Sequence, residues 1–227
     1  MSRGRPLIVA IDGPSGVGKS TVARGVAHRL DLPYLETGAM YRALGSKVLE
    51  SGVDPGDRAA VEELARELDL VVEFGPAGEV TILLDGSPVG ERIREPRVSD
   101  VTSQVAVYPG VRERMVRLQR QFGARRGAVL EGRDIGTQVF PDTPYKFFVT
   151  ARPDVRAERR FLQHRELGKD VTRDGVQHDL VERDRRDESR DASPLAVNDS
   201  YVEIDTSDLT ADEVVDRLEQ AVRERSR

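Results

Sequence analysis

The chain has 227 residues, no cysteine and a formal net charge of −5. A chain of this length buries one core with room for a small inserted subdomain, which disfavours two large independent domains. The acidic balance gives no net attraction to a polyanion, so we expect no nucleic-acid partner. Without cysteine, disulfides and zinc–thiolate sites are excluded, and the scattered His28, His164 and His178 do not suggest a transition-metal site.

The first residues carry no pattern of a secretion signal. Met1–Pro6 leads into the short apolar run Leu7–Ile11, which is too short for the core of a signal peptide. No later apolar run approaches the roughly 18 residues that a membrane-spanning helix needs. We therefore expect a cytoplasmic protein without a membrane partner.

The first two predicted elements are a strand over Leu7–Ile11 and a helix over Thr21–Leu30. Between them lies a full match to the phosphate-binding pattern G-x-x-x-x-G-K-[ST], namely Gly13-Pro14-Ser15-Gly16-Val17-Gly18-Lys19-Ser20. The glycines allow backbone N–H groups to turn toward a phosphate, Lys19 supplies a cation, and Ser20 offers a hydroxyl to Mg²⁺. A glycine-rich turn without a ligand is the alternative. The required strand before the motif and helix after it favour binding of a nucleoside triphosphate.

The later elements alternate between apolar strands and amphipathic helices. The further predicted strands of the main sheet are Tyr34–Leu35, Ala128–Leu130, Phe147–Val149 and Tyr201–Ile204. Such alternation predicts an α/β fold of the P-loop NTPase type, with a parallel five-stranded sheet flanked by helices. Two helical stripes are interpreted as core, and a capping box precedes the second. They consist of Val111, Met115, Leu118 and Phe122, and of Val214, Val215, Leu218 and Val222 after Thr210 and Glu213.

One segment departs from this alternation. Leu70–Phe74, Val80–Leu84 and Ser87–Val89 are short β-like runs separated by glycine-containing turns. This spacing predicts a small antiparallel meander inserted into the α/β core.

The phosphate-binding loop alone does not select among kinases, switch GTPases and motors. A switch GTPase would need an Asn-Lys-x-Asp string to recognise guanine, and the sequence contains none. Four other motifs are informative: Glu36-Thr37-Gly38-Ala39-Met40-Tyr41-Arg42, Thr102-Ser103-Gln104-Val105-Ala106, Glu131-Gly132-Arg133-Asp134-Ile135-Gly136-Thr137, and the stretch Arg183 to Arg190.

With the Gly13–Ser20 loop, these motifs closely resemble the bacterial cytidylate kinases, a family of P-loop nucleoside monophosphate kinases. The resemblance runs from about Leu7 through the last helix and includes the meander. This sequence has Glu131 where relatives often carry Asp and Thr37 where Ser is common. Both changes keep the functional group. The resemblance implies a core of residues 1–62 and 106–227, a lid over about 153–190, and a nucleoside-monophosphate-binding insert over about 63–105.

The resemblance also implies an activity and its residues. The expected reaction transfers the γ-phosphoryl group of Mg·ATP to CMP or dCMP, giving ADP and CDP or dCDP. The expected ATP-binding residues are Gly13, Pro14, Ser15, Gly16, Val17, Gly18, Lys19, Ser20 and Thr21. Those for CMP are Thr37, Arg42, Ser103, Arg112, Arg133, Asp134, Arg183, Asp187 and Arg190. Catalysis is expected from Lys19, Arg133, Arg159, Arg160 and Arg190, and magnesium contacts from Ser20 and, through water, Glu131.

Several of these residues have plainer interpretations that the sequence leaves open. Arg42 and Arg133 follow predicted strands, at the sheet edge where ligands bind, but they also fit surface arginines on turns. Glu131 fits a buried acid paired with an arginine. Arg183, Asp187 and Arg190 share a helix face, where Arg183 and Asp187 fit an ordinary ion pair.

Two other functions also stay open. One is a kinase for another small acceptor, such as UMP or shikimate, and the other is a nucleotide-binding regulator without turnover. We expect a monomer that binds ATP and the acceptor nucleotide.

Overall fold

A computed structural model of the chain describes residues 6–75, 79–166, 168–188, 195 and 197–225. The chain divides into two compact units. One consists of Met1–Ile8 and Leu32–Ala128, and the other of Val9–Asp31 and Val129–Arg227.

The described elements follow one another in chain order as alternating strands and helices. They are β1 (Ile8–Asp12), α1 (Lys19–Leu30), β2 (Tyr34–Glu36), α2 (Thr37–Glu50), α3 (Arg58–Glu67), β3 (Leu70–Phe74), β4 (Val80–Leu84), β5 (Ser87–Pro88), a 3₁₀ turn (Glu91–Arg94), α4 (Pro96–Val105), α5 (Pro109–Arg126), β6 (Ala128–Gly132), a π-helical turn (Ile135–Val139), β7 (Tyr145–Thr150), α6 (Pro153–Glu166), α7 (Arg173–Glu188), β8 (Val202–Asp205) and α8 (Ala211–Arg225).

Five strands form one sheet in the order β2-β6-β1-β7-β8. The β1–β7 pair is parallel and places Asp12 opposite Phe148, and the β7–β8 pair is parallel as well. All five residues of β1 are buried, as expected for a strand covered on both faces of its sheet. The predicted α/β class with a parallel five-stranded sheet is therefore confirmed.

The last helix, α8, packs against α1 in the second unit. The contact is close, because a Cβ on Gly25 of α1 would lie 2.6 Å from Cγ2 of Val215. The predicted capping box is confirmed: the Thr210 amide donates to Glu213 Oε2 at 2.8 Å, and the Glu213 amide donates to Thr210 Oγ1 at 3.3 Å. The predicted apolar stripe of α8 is also buried.

A three-stranded antiparallel sheet, in the order β3-β4-β5, lies in the first unit and confirms the predicted meander. It packs on α5, where the rings of Phe74 and Phe122 stack with their centroids 4.8 Å apart. In the predicted stripe of α5, Val111, Met115 and Phe122 are buried and Leu118 is half-buried. The predicted boundaries of the insert stay a prediction.

The chain leaves β1 through a glycine that no other residue could replace. Gly13 has φ +148°, and a Cβ built on it would lie 2.1 Å from the Val149 carbonyl oxygen of β7. That oxygen belongs to the backbone of the neighbouring strand and has no side-chain freedom to move away. The start of the phosphate-binding loop is therefore set by the spacing of β1 and β7.

We expect Gly13→Ala to lower the free energy of unfolding by about 3 kcal/mol or more, because it combines backbone strain with a clash. Gly18→Ala is the matched control, since Gly18 has φ +91° but nothing within 4 Å of a Cβ. Strain alone predicts a loss of about 1–2 kcal/mol there. Urea denaturation measures both, and equal losses would contradict the packing constraint.

Strand β1 ends on a fully buried carboxylate. Asp12 accepts hydrogen bonds from the amides of Ile135 and Gly136 and from the Tyr201 hydroxyl. Burial, with a smaller contribution from the charge of Asp134, raises the pKa of Asp12 from 3.8 to about 6. The folded state therefore binds more protons than the unfolded state between these two values.

Because the folded-state pKa is the higher one, the contribution of Asp12 to stability falls as the pH rises from about 4 to 6. We expect the free energy of unfolding of the wild type, relative to that of Asp12→Asn, to increase by about 3 kcal/mol between pH 7 and pH 4. Urea unfolding of both proteins across this range measures the difference, in which other titrating groups cancel. A flat difference would show that the pKa of Asp12 is not raised.

Candidate active site

The loop between β1 and α1 presents a helix N-terminus with free space around it. Helix α1 begins at Lys19, two residues before the predicted start, so Lys19 and Ser20 lie in its first turn. Gly18 precedes it in the left-handed conformation, and in this fully described helix no side chain caps the first amides and no acidic residue occupies the first turn. Such an end carries partial positive charge and donors for an anion.

Lys19 is buried beside this loop, and its Nζ donates to the Pro14 carbonyl at 2.5 Å. Burial lowers the pKa of the Lys19 ammonium, and the positive charges of Arg133 and Arg183 lower it further. The carboxylates of Glu131 and Asp187 act in the opposite direction. Five predicted site residues from α1, β6, the turn after β6, and α7 therefore lie within electrostatic reach of one another.

Arg133 follows β6 directly and is held by two partners. Its Nε donates to Asp187 Oδ2 of α7 at 2.7 Å, and its Nη1 donates to the Gly132 carbonyl at 3.1 Å. Burial acts to lower the pKa of Arg133, but the charge of Asp187 outweighs it and the net shift is upward. The side chain of Asp187 is only 3% exposed, so this ion pair is buried and fixes the direction of the guanidinium.

Two acidic residues flank Arg133. Glu131, the fourth residue of β6, is buried as predicted at the end of the apolar run, and Asp134 is buried directly after Arg133. The Asp134 carbonyl accepts from the amides of Gln138 and Val139 in the π-helical turn. Sequence reasoning did not single out Asp12, although a lone acid ending a buried apolar run was a usable signal.

Helix α6 contacts the phosphate-binding loop through two arginines. Arg159 donates to the Val17 carbonyl at 3.4 Å and to the Thr206 hydroxyl at 2.9 Å. Arg156, which sequence reasoning missed, donates from Nε to the Ser15 carbonyl at 2.7 Å and from Nη2 to Asp184 at 2.5 Å. The spacing of three residues on one helix was the available signal, because it puts both arginines on one face.

The other two predicted lid arginines differ from Arg159. Arg160 donates to Gln163 Oε1 at 2.7 Å within α6. Arg190 lies outside the described residues, as does the end of the predicted lid, whereas Arg183 and Asp187 lie on α7.

The first unit holds the four remaining predicted site residues. Thr37 begins α2 and Arg42 lies one turn further along it, while Ser103 lies on α4 and Arg112 on α5. Helix α2 packs against both α4 and α5. The prediction of a Gly-Ala turn before the helix of Arg42 was wrong, because Gly38 and Ala39 already belong to the first turn of α2.

Arg42 is oriented by an acid at the end of β2. Its guanidinium forms an ion pair with Glu36, which also accepts from Arg94 at 3.3 Å. A Cβ on Gly38 would lie 3.2 Å from Arg42 Nη1, so the glycine leaves the room that the guanidinium takes. Arg112 is buried, donates to the Ala106 carbonyl at 3.2 Å, and lies 5.6 Å from the ring centroid of Tyr41. That geometry permits a cation–π contact.

Within the described ranges, no group of three or more His, Cys, Asp or Glu side chains is placed to hold a metal ion. No helix in this part of the chain is both long and apolar enough to cross a membrane.

Comparison with known proteins extends over nearly the whole chain. Residues 9–224 match the cytidylate kinase family. A cytidylate kinase from Corynebacterium glutamicum is 49% identical over 213 residues, covering 93% of this chain and 92% of that protein. A cytidylate kinase from Caldanaerobacter subterraneus subsp. tengcongensis is 42% identical over 219 residues, covering 96% of each.

Among solved structures, an uncharacterized protein from Eubacterium ventriosum has a TM-score of 0.52 at 15% identity, covering 97% of this chain and 99% of that one. This similarity supports the fold alone. The family match and the two relatives span the phosphate-binding loop, the turn after β6 and the arginine-bearing helices described above, and on these grounds the chain belongs to the cytidylate kinase family.

Proposed function

We propose that the protein is an ATP:CMP/dCMP phosphotransferase, which converts CMP or dCMP to the diphosphate and releases ADP. One observation carries the proposal within the family: Lys19 at the phosphate-binding loop lies within electrostatic reach of Arg133, which Asp187 of α7 holds in a buried ion pair. A loop for a triphosphate and a second anion-binding arginine are what a transfer between two phosphates requires.

Catalysis by this arrangement consists of positioning and charge neutralisation. The acceptor phosphate of CMP is already anionic, so no general base is needed to activate it. Lys19 and Arg133 would neutralise the charge that develops on the transferred group, and their partners Pro14 and Asp187 hold them in place before substrate arrives. We assign the same role to Arg159, Arg160 and Arg190 by resemblance to the family.

The triphosphate would bind to the first turn of α1. The first amides of this helix and the residues Gly13 to Thr21 supply donors to the phosphates, and the ammonium of Lys19 supplies charge. Arg159 bonds to Thr206 just after β8, which supports a place for the adenine beside the turn Thr206–Ser207.

The acceptor residues are assigned by resemblance, and the structure adds how some of them are held. Arg42 and Arg133 would bind the phosphate of CMP, with Arg183 and Asp187 at the ribose hydroxyls. Asp134, Ser103 and Arg112 would contact the cytosine ring, and Thr37 completes the set. Buried ion pairs to Glu36 and Asp187 orient the two phosphate-binding arginines.

The donor set fits Mg²⁺ as the metal that accompanies ATP. Ser20 offers a hydroxyl oxygen and Glu131 a carboxylate, both of them hard oxygen ligands of the kind Mg²⁺ takes. With no larger acidic cluster among the described residues, phosphate oxygens and water would supply the remaining ligands. Bound there, Mg²⁺ would neutralise phosphate charge; Ser20 would contact it directly, and Glu131 would hold a water of its shell.

An acceptor panel tests the function most directly. ADP release with ATP and Mg²⁺ is measured for CMP, dCMP, UMP and shikimate. Preference for CMP and dCMP supports the proposal, whereas preference for UMP or shikimate assigns another kinase activity. Nucleotide binding without ADP release would indicate a regulator. A monomeric state and a cytoplasmic location stay predictions.

We expect Lys19→Ala to lower turnover by about 10³-fold or more, because it removes a cation from the transferring phosphoryl group. The matched control is Lys47→Ala, since Lys47 of α2 forms an ion pair with Asp85 at 2.6 Å. Its kcat should stay within about twofold of the wild type. Wild-type turnover in Lys19→Ala would contradict the kinase assignment.

We expect Asp134→Asn to reduce kcat/KM for CMP and to narrow the CMP/UMP ratio by about tenfold or more. An ionised carboxylate only accepts hydrogen bonds and so favours the N4 amino group of cytosine, whereas an amide also donates and can face O4 of uracil. The control is Asp142→Asn on the exposed surface. Equal losses toward CMP and UMP would show that Asp134 acts through Arg133 and does not contact the base.

A further inference from the structure

Asp12 is a buried acid that lies just outside the phosphate-binding motif. It follows three fully buried apolar residues of β1 and is itself fully buried. The Ile135 amide donates to Oδ1 at 2.9 Å, the Gly136 amide to Oδ2 at 2.8 Å, and the Tyr201 hydroxyl to Oδ2 at 2.8 Å.

These three donors are all neutral, so they leave the charge of the carboxylate uncompensated. A buried charge with neutral partners costs stability, and burial accordingly raises the pKa of Asp12 to about 6. At neutral pH the group is still ionised and accepts with both oxygens. An amide has one accepting oxygen and would turn its NH₂ group toward a donor. A residue that costs stability at a site suggests a function there.

The hydrogen bonds of Asp12 hold the turn that follows β6. Ile135 and Gly136 are the first residues of the π-helical turn, whereas Gly132 is the last residue of β6. Only Arg133 and Asp134 lie between these two anchored points. A shift of the Ile135 amide would therefore move both of these side chains.

The start of the phosphate-binding loop does not depend on this side chain. Asp12 pairs through its backbone with Phe148 of β7, and Gly13 is packed against Val149. Tyr201 is supported separately, since its ring meets that of Phe148 edge to face at 6.0 Å. Loss of the carboxylate should thus release the turn after β6 and leave the triphosphate site in place.

We propose that Asp12 is a positioning residue that fixes the Arg133–Asp134 turn for the acceptor nucleotide, with Tyr201 as its hydroxyl partner. The proposal rests on the assignment of Arg133 and Asp134 to the acceptor in the proposed function. It makes Asp12 a determinant of acceptor use that does not itself touch substrate.

The test compares Asp12→Asn with Val9→Ala, which opens a cavity in the same buried strand without removing a hydrogen bond. Asp12→Asn should lower kcat/KM for CMP by about 10–100-fold, the scale of a lost hydrogen bond to a charged group. The CMP/UMP ratio should narrow, and KM for ATP should stay within about twofold. Val9→Ala should keep all of these constants near the wild-type values. Equal constants in the two variants would overturn the proposal.

Amide hydrogen exchange at Ile135 and Gly136, measured by NMR, reads the same contact without any activity. Exchange of these amides should accelerate by about tenfold or more in Asp12→Asn and not in Val9→Ala. Unchanged exchange would overturn the positioning role. A wild type that does not phosphorylate CMP would instead refute the proposed function, and the exchange rates would still report whether Asp12 holds the turn.

Tyr201→Phe decides the matter if Asp12→Asn does not fold. It removes one donor and keeps the aromatic ring. Because the Tyr201 hydroxyl shares Oδ2 with the Gly136 amide, we expect a loss of about two- to tenfold in kcat/KM for CMP, with KM for ATP unchanged. Faster exchange should be confined to the turn. Unchanged acceptor constants and exchange rates in this variant would contradict the proposal.

Discussion

Repulsion among buried cations is the interaction on which the site depends. The charges of Arg133 and Arg183 lower the pKa of the Lys19 ammonium, and burial adds to the effect. Such a group stays together only if acids compensate it, and the Asp187 carboxylate does so through its ion pair with Arg133. An incoming phosphate supplies further negative charge, so the folded chain already holds the electrostatic complement of its ligand.

A second principle is that backbone carbonyls anchor the arginines of α6. Arg156 and Arg159 donate to the carbonyls of Ser15 and Val17, so helix α6 and the phosphate-binding loop share hydrogen bonds. A Cβ on Gly16 would lie 3.1 Å from the Arg156 carbonyl oxygen. The helix and the loop are therefore packed as well as bonded, and a displacement of one would be felt by the other.

Local patterns predicted the fold and the loop, whereas contacts between distant residues were out of reach. The apolar runs, the meander and the Thr210–Glu213 capping box each follow from residues a few positions apart. The ion pair of Arg133 with Asp187 joins positions 54 apart, and the bond of Asp12 with Tyr201 joins positions 189 apart. Nothing in local periodicity encodes such pairs, because they depend on which strand ends meet. Arg156 was missed for the same reason.

The approach of Gly13 to Val149 of β7 also bears on protein engineering. The eight-residue motif is often treated as a portable sequence, yet here its first residue fits only because a neighbouring parallel strand passes at a set distance. A transplanted loop would keep its shape only on a host sheet with the same strand next to the donor strand. The unit that can be grafted is therefore a pair of adjacent strands with the loop, and designs that move the loop alone would lose the geometry that presents its amides.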